Sequence, residues 1–183
     1  IATTDTLACY HLPDMLLRLR KIAPDIEVEI RTSNKLRDLL QREADIAIRH
    51  ARPREPELIA KKVRTTSATL YASKDYLDRA GRPRDAGHRL GRRHRTAGPA
   101  AGGDAGSAAS CRHHPGECEL ARKGLGVGLF IADEVDQFPD LEIVWPGFNP
   151  FDVPIWLVTH RELHTSKRIR LMFDLISDYY SLK

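Results

Sequence analysis

Residues 1–50, IATTDTLACYHLPDMLLRLRKIAPDIEVEIRTSNKLRDLLQREADIAIRH, decide the fold class. They read as strand, helix, strand, helix, strand, and each strand ends in a polar cluster: TTDT at 3–6, RTSN at 31–34 and RH at 49–50. That order implies a parallel sheet whose carboxyl edge gathers hydrogen-bonding groups beside helix N-termini, where open α/β sheets hold small ligands.

Each element has its own signal. Ile1 and Ala2 are too short to be a whole strand, so an element is expected to begin upstream of the chain. From Tyr10 to Ala23 the residues Leu12, Leu16, Leu19 and Ile22 recur at helical spacing, with Pro13 early and Pro24 as the stop. Ile26, Val28 and Ile30 alternate with Glu27, Glu29 and Arg31, which predicts a strand with one wet face. Ser33 or Asn34 can cap the next helix, in which Leu36, Leu39 and Leu40 form the apolar stripe. Ile46, Ala47 and Ile48 are a short continuous apolar run, the pattern of a strand covered on both faces.

The chain has 183 residues, 42% of them hydrophobic, enough for one domain or two small lobes. No apolar run is long enough to span a membrane and no leader pattern is present. The three cysteines, Cys9, Cys111 and Cys118, are an odd number without repeated spacing, which argues for a reducing compartment and a cytoplasmic location. The net charge of +4 is local: residues 81–118 carry seven arginines against Asp85, Asp104 and Glu117, and the other residues balance. No global electrostatic case for DNA binding by this chain follows.

Residues 81–118 are anomalous. They are built mainly of Gly, Ala, Arg and His, and Leu90 is their one large aliphatic residue, so neither a core strand nor a core helix face is expected there. Two readings account for them: a disordered basic loop, or a GC-rich gene misread in another frame between two compensating errors. Cys111, His113, His114 and Cys118 form one loose cluster, whereas zinc sites show two paired ligand sets, so no metal is expected. The RRHR run at 92–95 lacks an aromatic platform and reads as a solvated charge run.

In the second half, Leu58 to Val63 and Thr65 to Ser73 read as two extended segments, after which Ser73 caps a short helix ended by Gly81. ELARKG reads as a helix end with Gly124 as its stop. GLGVGLFI reads as a return to a strand through Val127, Leu129 and Ile131, LEIVWP and VPIWLVTH read as strands, ADEVDQF as a short helix, and Ser166 opens a final helix with Ile169, Phe173 and Ile176 on one side. Gly124, Gly126 and Gly128 follow a helix and lead into a strand, the reverse of a dinucleotide-binding loop, so no cofactor is expected. Ser33, His50 and Asp45 are the residue types of an acyl-transfer triad, but no nucleophile elbow accompanies them. Glu27 and Glu29 fall on the wet strand face, and His11 reads as a surface residue at a helix start. No enzyme is expected.

The order IATTDT, HLPDMLLRLRKIAPDIEVEI, LRDLLQREADIAIRHARP, LYASKDYLDRAGRP and ARKGLGVGLFIADEV is similar to the effector-binding domain of LysR-type bacterial transcriptional regulators. The match covers 1–83 and 119–183, its most specific features being Leu12-Pro13, the stop at Pro24 and DIAIR from Asp45 to Arg49. The resemblance implies an α/β, two-lobed periplasmic-binding-protein-like (type II) fold with Rossmann-like subdomains. Residues 1–68 and 148–183 would form lobe I and 69–147 lobe II, with a small effector between them. It also implies a helix-turn-helix upstream of Ile1 that makes the DNA contact. Side-by-side pairing into dimers and tetramers would leave Glu27, Glu29 and Arg31 as candidates for cross-subunit pairs. Carried over residue by residue, Thr6 and Ser33 are the first effector contacts and Thr3, Thr4 and Asn34 the second. Arg49 and His50 supply positive charge, although Arg49 can also pair with Asp5. Hydroxyls and free backbone N–H groups suit a carboxylate or another anion; for Ser33 or Asn34 plain helix capping explains the residue equally well. A free-standing solute-binding protein of a transporter is the alternative.

Overall fold

The computed structural model describes residues 1–32, 44–81, 114–147 and 149–182. In chain order these form β1 (Ala2–Thr3), α1 (Asp5–Tyr10), α2 (Leu12–Ile22), β2 (Arg31–Thr32), β3 (Ile46–Arg49), β4 (Leu58–Ser73), α3 (Lys74–Ala80), α4 (His114–Arg122), β5 (Gly128–Ile131), α5 (Ala132–Val135), β6 (Leu141–Ile143), β7 (Phe151–His160) and α6 (Lys167–Ser181). The chain divides into two compact units, Ile1–Thr65 with Pro154–Lys183, and Thr66–Val153.

In the first unit the strands are ordered β2-β1-β3-β7-β4. β1 is parallel to both neighbours, with Ala2 beside Arg31 and Ala47, and Thr3 beside Thr32. β7 returns antiparallel to β3, setting Arg49 opposite Trp156. The core is a helix layer against this sheet: Leu7, Leu12, Met15 and Leu19 from α1 and α2 meet Phe173, Ile176 and Tyr180 from α6 over Ile46, Ile48, Ile155 and Leu157. The buried positions of α6 recur at helical spacing while Lys167, Arg168 and Arg170 stay exposed, as the apolar stripe predicts.

The second unit pairs the later part of β4 with β5 through Ala68–Ile131 and Tyr71–Gly128, and with β6 through Ser73–Leu141. Its core joins Ala72, Tyr76, Leu77, Val127 and Val144. The Ser73 hydroxyl accepts a 3.3 Å bond from the Tyr76 amide, the expected cap of α3. α4 ends in a Schellman motif, with the Leu125 amide donating to the Leu120 carbonyl and the Gly124 amide to Ala121. Gly124 has φ +71°, and a Cβ there would lie 3.1 Å from Arg79 Nη2 and 3.2 Å from Ser73 Oγ.

Several expectations need correction. The first helix begins at Asp5 rather than Tyr10 and breaks at His11, which is 1% exposed and not a surface residue. Its ring lies 6.1 Å from that of Tyr179 and 5.6 Å from that of Tyr180, so the end of α6 buries it. The packed line of α2 is Leu12, Met15 and Leu19, whereas Ile22 is 59% exposed. Residues 26–30 are not a strand; the strand begins at Arg31, and the alternation stops at Val28: Ile30 is exposed. Residues 58–73 are one strand of 16 residues rather than two. Cys118, at the end of the anomalous segment, lies in α4 and is fully buried, so that end does contribute a core side chain. Residues 82–113, and with them Cys111, His113 and the RRHR run, lie outside the described residues, as do 33–43 with the expected second-helix stripe.

Replacing Gly124 by Ala would force a side chain into positive φ against Arg79 and Ser73, and is expected to destabilise the chain by about 1–2 kcal/mol in urea unfolding.

Candidate functional site

The parallel run β2-β1-β3 brings the ends of three strands to one edge of the first unit. Thr3 ends β1, Thr4 precedes α1, Thr32 ends β2 beside Thr3, and Arg49 ends β3, followed by His50. Of the expected effector contacts, Thr3, Thr4, Thr6, Arg49 and His50 are therefore gathered at this edge. Ser33 and Asn34 lie outside the described residues.

Burial separates these residues from ordinary surface polarity. Thr3 is fully buried, and Thr6 and Arg49 nearly so. Thr4 is half-buried and occupies the N-cap of α1, yet its side chain makes no capping bond. Among the described residues neither the Thr3 nor the Thr4 hydroxyl has a hydrogen-bond partner, although both oxygens are buried. Most buried hydroxyls are paired, so two unpaired ones at adjacent positions are unusual. Arg49 adds a buried guanidinium to the same strand ends. Beyond it, the Arg52 guanidinium lies 5.4 Å over the Trp156 ring, in the strand opposite Arg49. Chemically, this edge can donate hydrogen bonds to an anion.

A concavity elsewhere in the first unit escaped sequence reasoning. A cavity of about 710 Å³ in the first unit is lined by Ile26, Val28 and Ile46 together with Arg31, Asp45 and Arg168. Ile1 and Asp45 precede β1 and β3, so it lies at the amino ends of those strands, the edge away from Thr3 and Arg49. Its acidic and basic groups are mixed, and Arg31 is already engaged by Glu29 at 2.9 Å. A cavity marks this place, whereas the buried donors mark the carboxyl edge. The donors are the stronger indicator because they constrain the chemistry of what binds.

No group of three or more His, Cys, Asp or Glu among the described residues can hold a metal ion. No helix among them is long and apolar enough to cross a membrane.

Comparison with known proteins bears on the whole chain. The family model for the LysR substrate binding domain matches residues 1–181. No curated protein matches the chain in sequence. Among solved structures, the regulatory domain of CrgA, a LysR-type transcriptional regulator from Neisseria meningitidis, superposes with a TM-score of 0.84 at 17% identity, covering 97% of this chain and 95% of that one. Full-length AphB, a virulence activator of Vibrio cholerae, gives 0.81 at 21% identity over 98% of this chain and 67% of that one. ArgP from Mycobacterium tuberculosis gives 0.72 at 16% identity over 98% and 64%. At these identities the structures show a shared fold, the type II periplasmic-binding-protein-like one, and the family match favours a regulator over a transporter's solute-binding protein. The chain belongs to the LysR substrate-binding-domain family, and it is the effector-sensing regulatory domain of a LysR-type transcriptional regulator.

Proposed function

We propose that the effector is a small carboxylate or similar oxyanion, held at the carboxyl edge of the first unit by Thr3, Thr4, Thr6 and Arg49, with His50 beside them. The observation that carries this reading is the pair of buried, unpartnered hydroxyls of Thr3 and Thr4. Leaving a buried hydroxyl unpaired costs about 1–3 kcal/mol, and a carboxylate can accept from both. The Arg49 guanidinium supplies the matching charge in a planar, two-donor geometry. An effector that prefers one of two conformations shifts their balance, and in the full regulator that shift would reach a DNA-binding domain in the cytoplasm. The separation of the chain into two regulatory lobes belongs to the same reading.

The thermal melt of the chain should rise when a panel of small mono- and dicarboxylates is added, by about 2.7 kcal/mol of added stability at a hundred times the dissociation constant. Thr3→Val and Thr4→Val remove hydroxyls that bond nothing in the described structure, so the ligand-free stability should hold within about 1 kcal/mol while the carboxylate shift shrinks. Arg49→Gln should abolish the shift. No shift with any carboxylate, or an undiminished shift in both valine variants, would remove this edge from consideration.

Self-association through α2 and the segment before β2 is the second part of the proposal. Leu17 and Ile22 on α2 and Ile30 beside β2 are exposed large aliphatic residues, more apolar surface than a solvated helix and edge need. Arg18, Arg20 and Lys21 on α2 are exposed bases, and Asp14, Asp25 and Glu27 are exposed acids that a second copy could set against them. Glu29 and Arg31 are engaged with each other within one chain, which leaves them less suited to cross-subunit pairing than the family resemblance implies. In sedimentation velocity the chain should run as a dimer, and a Leu17→Glu, Ile22→Glu double variant should run as a monomer. A monomeric parent chain would contradict the proposal.

A further inference from the structure

The second unit buries two neighbouring carboxyl groups where β5 turns into α5. The Asp133 side chain is nearly buried, and its Oδ1 accepts a 2.8 Å bond from the Thr66 hydroxyl of β4. Glu134 is 0% exposed, and neither Oε1 nor Oε2 makes a well-formed hydrogen bond among the described residues. β5, which packs on α5, carries no ionisable side chain across Gly128–Ile131. Within α5 and its exit the remaining acid, Asp136, is exposed and acts on Tyr71 instead. Among the described residues the charge that acts on Glu134 is that of Asp133, which has the same sign.

An ionised carboxylate without partners is among the most costly groups to bury, and such a group takes up a proton instead. We propose that Glu134 is a proton-binding site of the regulatory domain: the folded second unit holds its carboxyl protonated at neutral pH, and loss of that proton loosens the β5–α5 corner. Burial first, and then the like charge of Asp133, push the Glu134 carboxyl up to about 8, while the Ile131 backbone N–H pulls the other way. The domain then carries a proton input separate from the effector edge, which belongs to the first unit.

The sign of the effect follows from linkage. Below about 4.5, the ordinary value of a glutamate, the group is protonated whether the chain is folded or not, and its contribution is fully present. Between about 4.5 and about 8 the folded chain binds one proton more than the unfolded chain, so each pH unit raises the unfolding equilibrium constant up to tenfold. Above about 8 the loss is complete and the curve is flat.

Urea unfolding of the whole chain from pH 5.5 to 9, with Glu134→Gln alongside, tests this. The parent should lose stability as pH rises to about 8, and the glutamine variant, which is neutral throughout, should have a slope shallower by about one proton. Should that variant not fold, carbon-13 carboxyl NMR of glutamate-labelled parent chain gives the same answer: one glutamate resonance titrating near 8 is expected. Equal slopes for parent and variant, or titration of every glutamate near 4.5, would overturn the proposal.

Discussion

The constraint on which the site depends is the parallel pairing of a two-residue strand on both of its sides. Ala2 and Thr3 are buried, and their only regular backbone partners among the described residues are Arg31, Thr32 and Ala47. Because all three strands run the same way, their polar ends arrive together, and because side chains alternate along a strand, the register decides which face each one takes. A slip by one residue would turn Ala2 and Thr3 to each other's face of the sheet. The Ile1 nitrogen, donating 2.6 Å to the Glu29 carbonyl, and the Arg31 amide, donating 2.8 Å to the Ile1 carbonyl, extend the register beyond the strand itself.

Two kinds of buried polar group set the chemistry, one in each unit. At the strand ends of the first unit they are hydroxyls and a guanidinium, all able to donate, and they suit an anion that arrives from solution. In the second unit it is the Glu134 carboxyl, raised by burial and by the like charge of Asp133, and it suits the smallest cation, a proton. Both arrangements spend stability on groups that an apolar core would not contain. Such departures from full satisfaction concentrate where a protein does something other than fold.

Local patterns in the sequence were sufficient for most of the elements. The 3.6-residue spacing in α6, the continuous apolar run of β3, the capping Ser73 and the stop at Gly124 each act within a few residues, so each is visible without knowledge of the fold. The misreadings share the opposite property. His11 is buried by Tyr179 and Tyr180 from the far end of the chain, and Ile22 is exposed because the packed line of α2 ends at Leu19. Ile30 is exposed although Ile1 bonds the backbone on either side of it, so pairing alone does not decide which face is covered. Of the site, Thr3, Thr4, Thr6 and Arg49 were legible as strand ends, but the absence of a capping bond at Thr4 was not. ADEVDQF reads as a short helix, but nothing nearby signals that Asp133 meets Thr66, which lies 67 residues earlier. An acid pair directly after a buried strand was the one local clue to Glu134.

The central claim, that an anion is recognised by the carboxyl edge of the first unit, is tested most directly by titrating nitrogen-15-labelled chain with a small dicarboxylate and following backbone amide shifts. The account predicts saturable changes that are largest at Thr3, Thr4, Thr6, Arg49 and His50. Saturable changes confined to residues around Ile26, Val28 and Ile46, or no saturable change for any carboxylate, would contradict it.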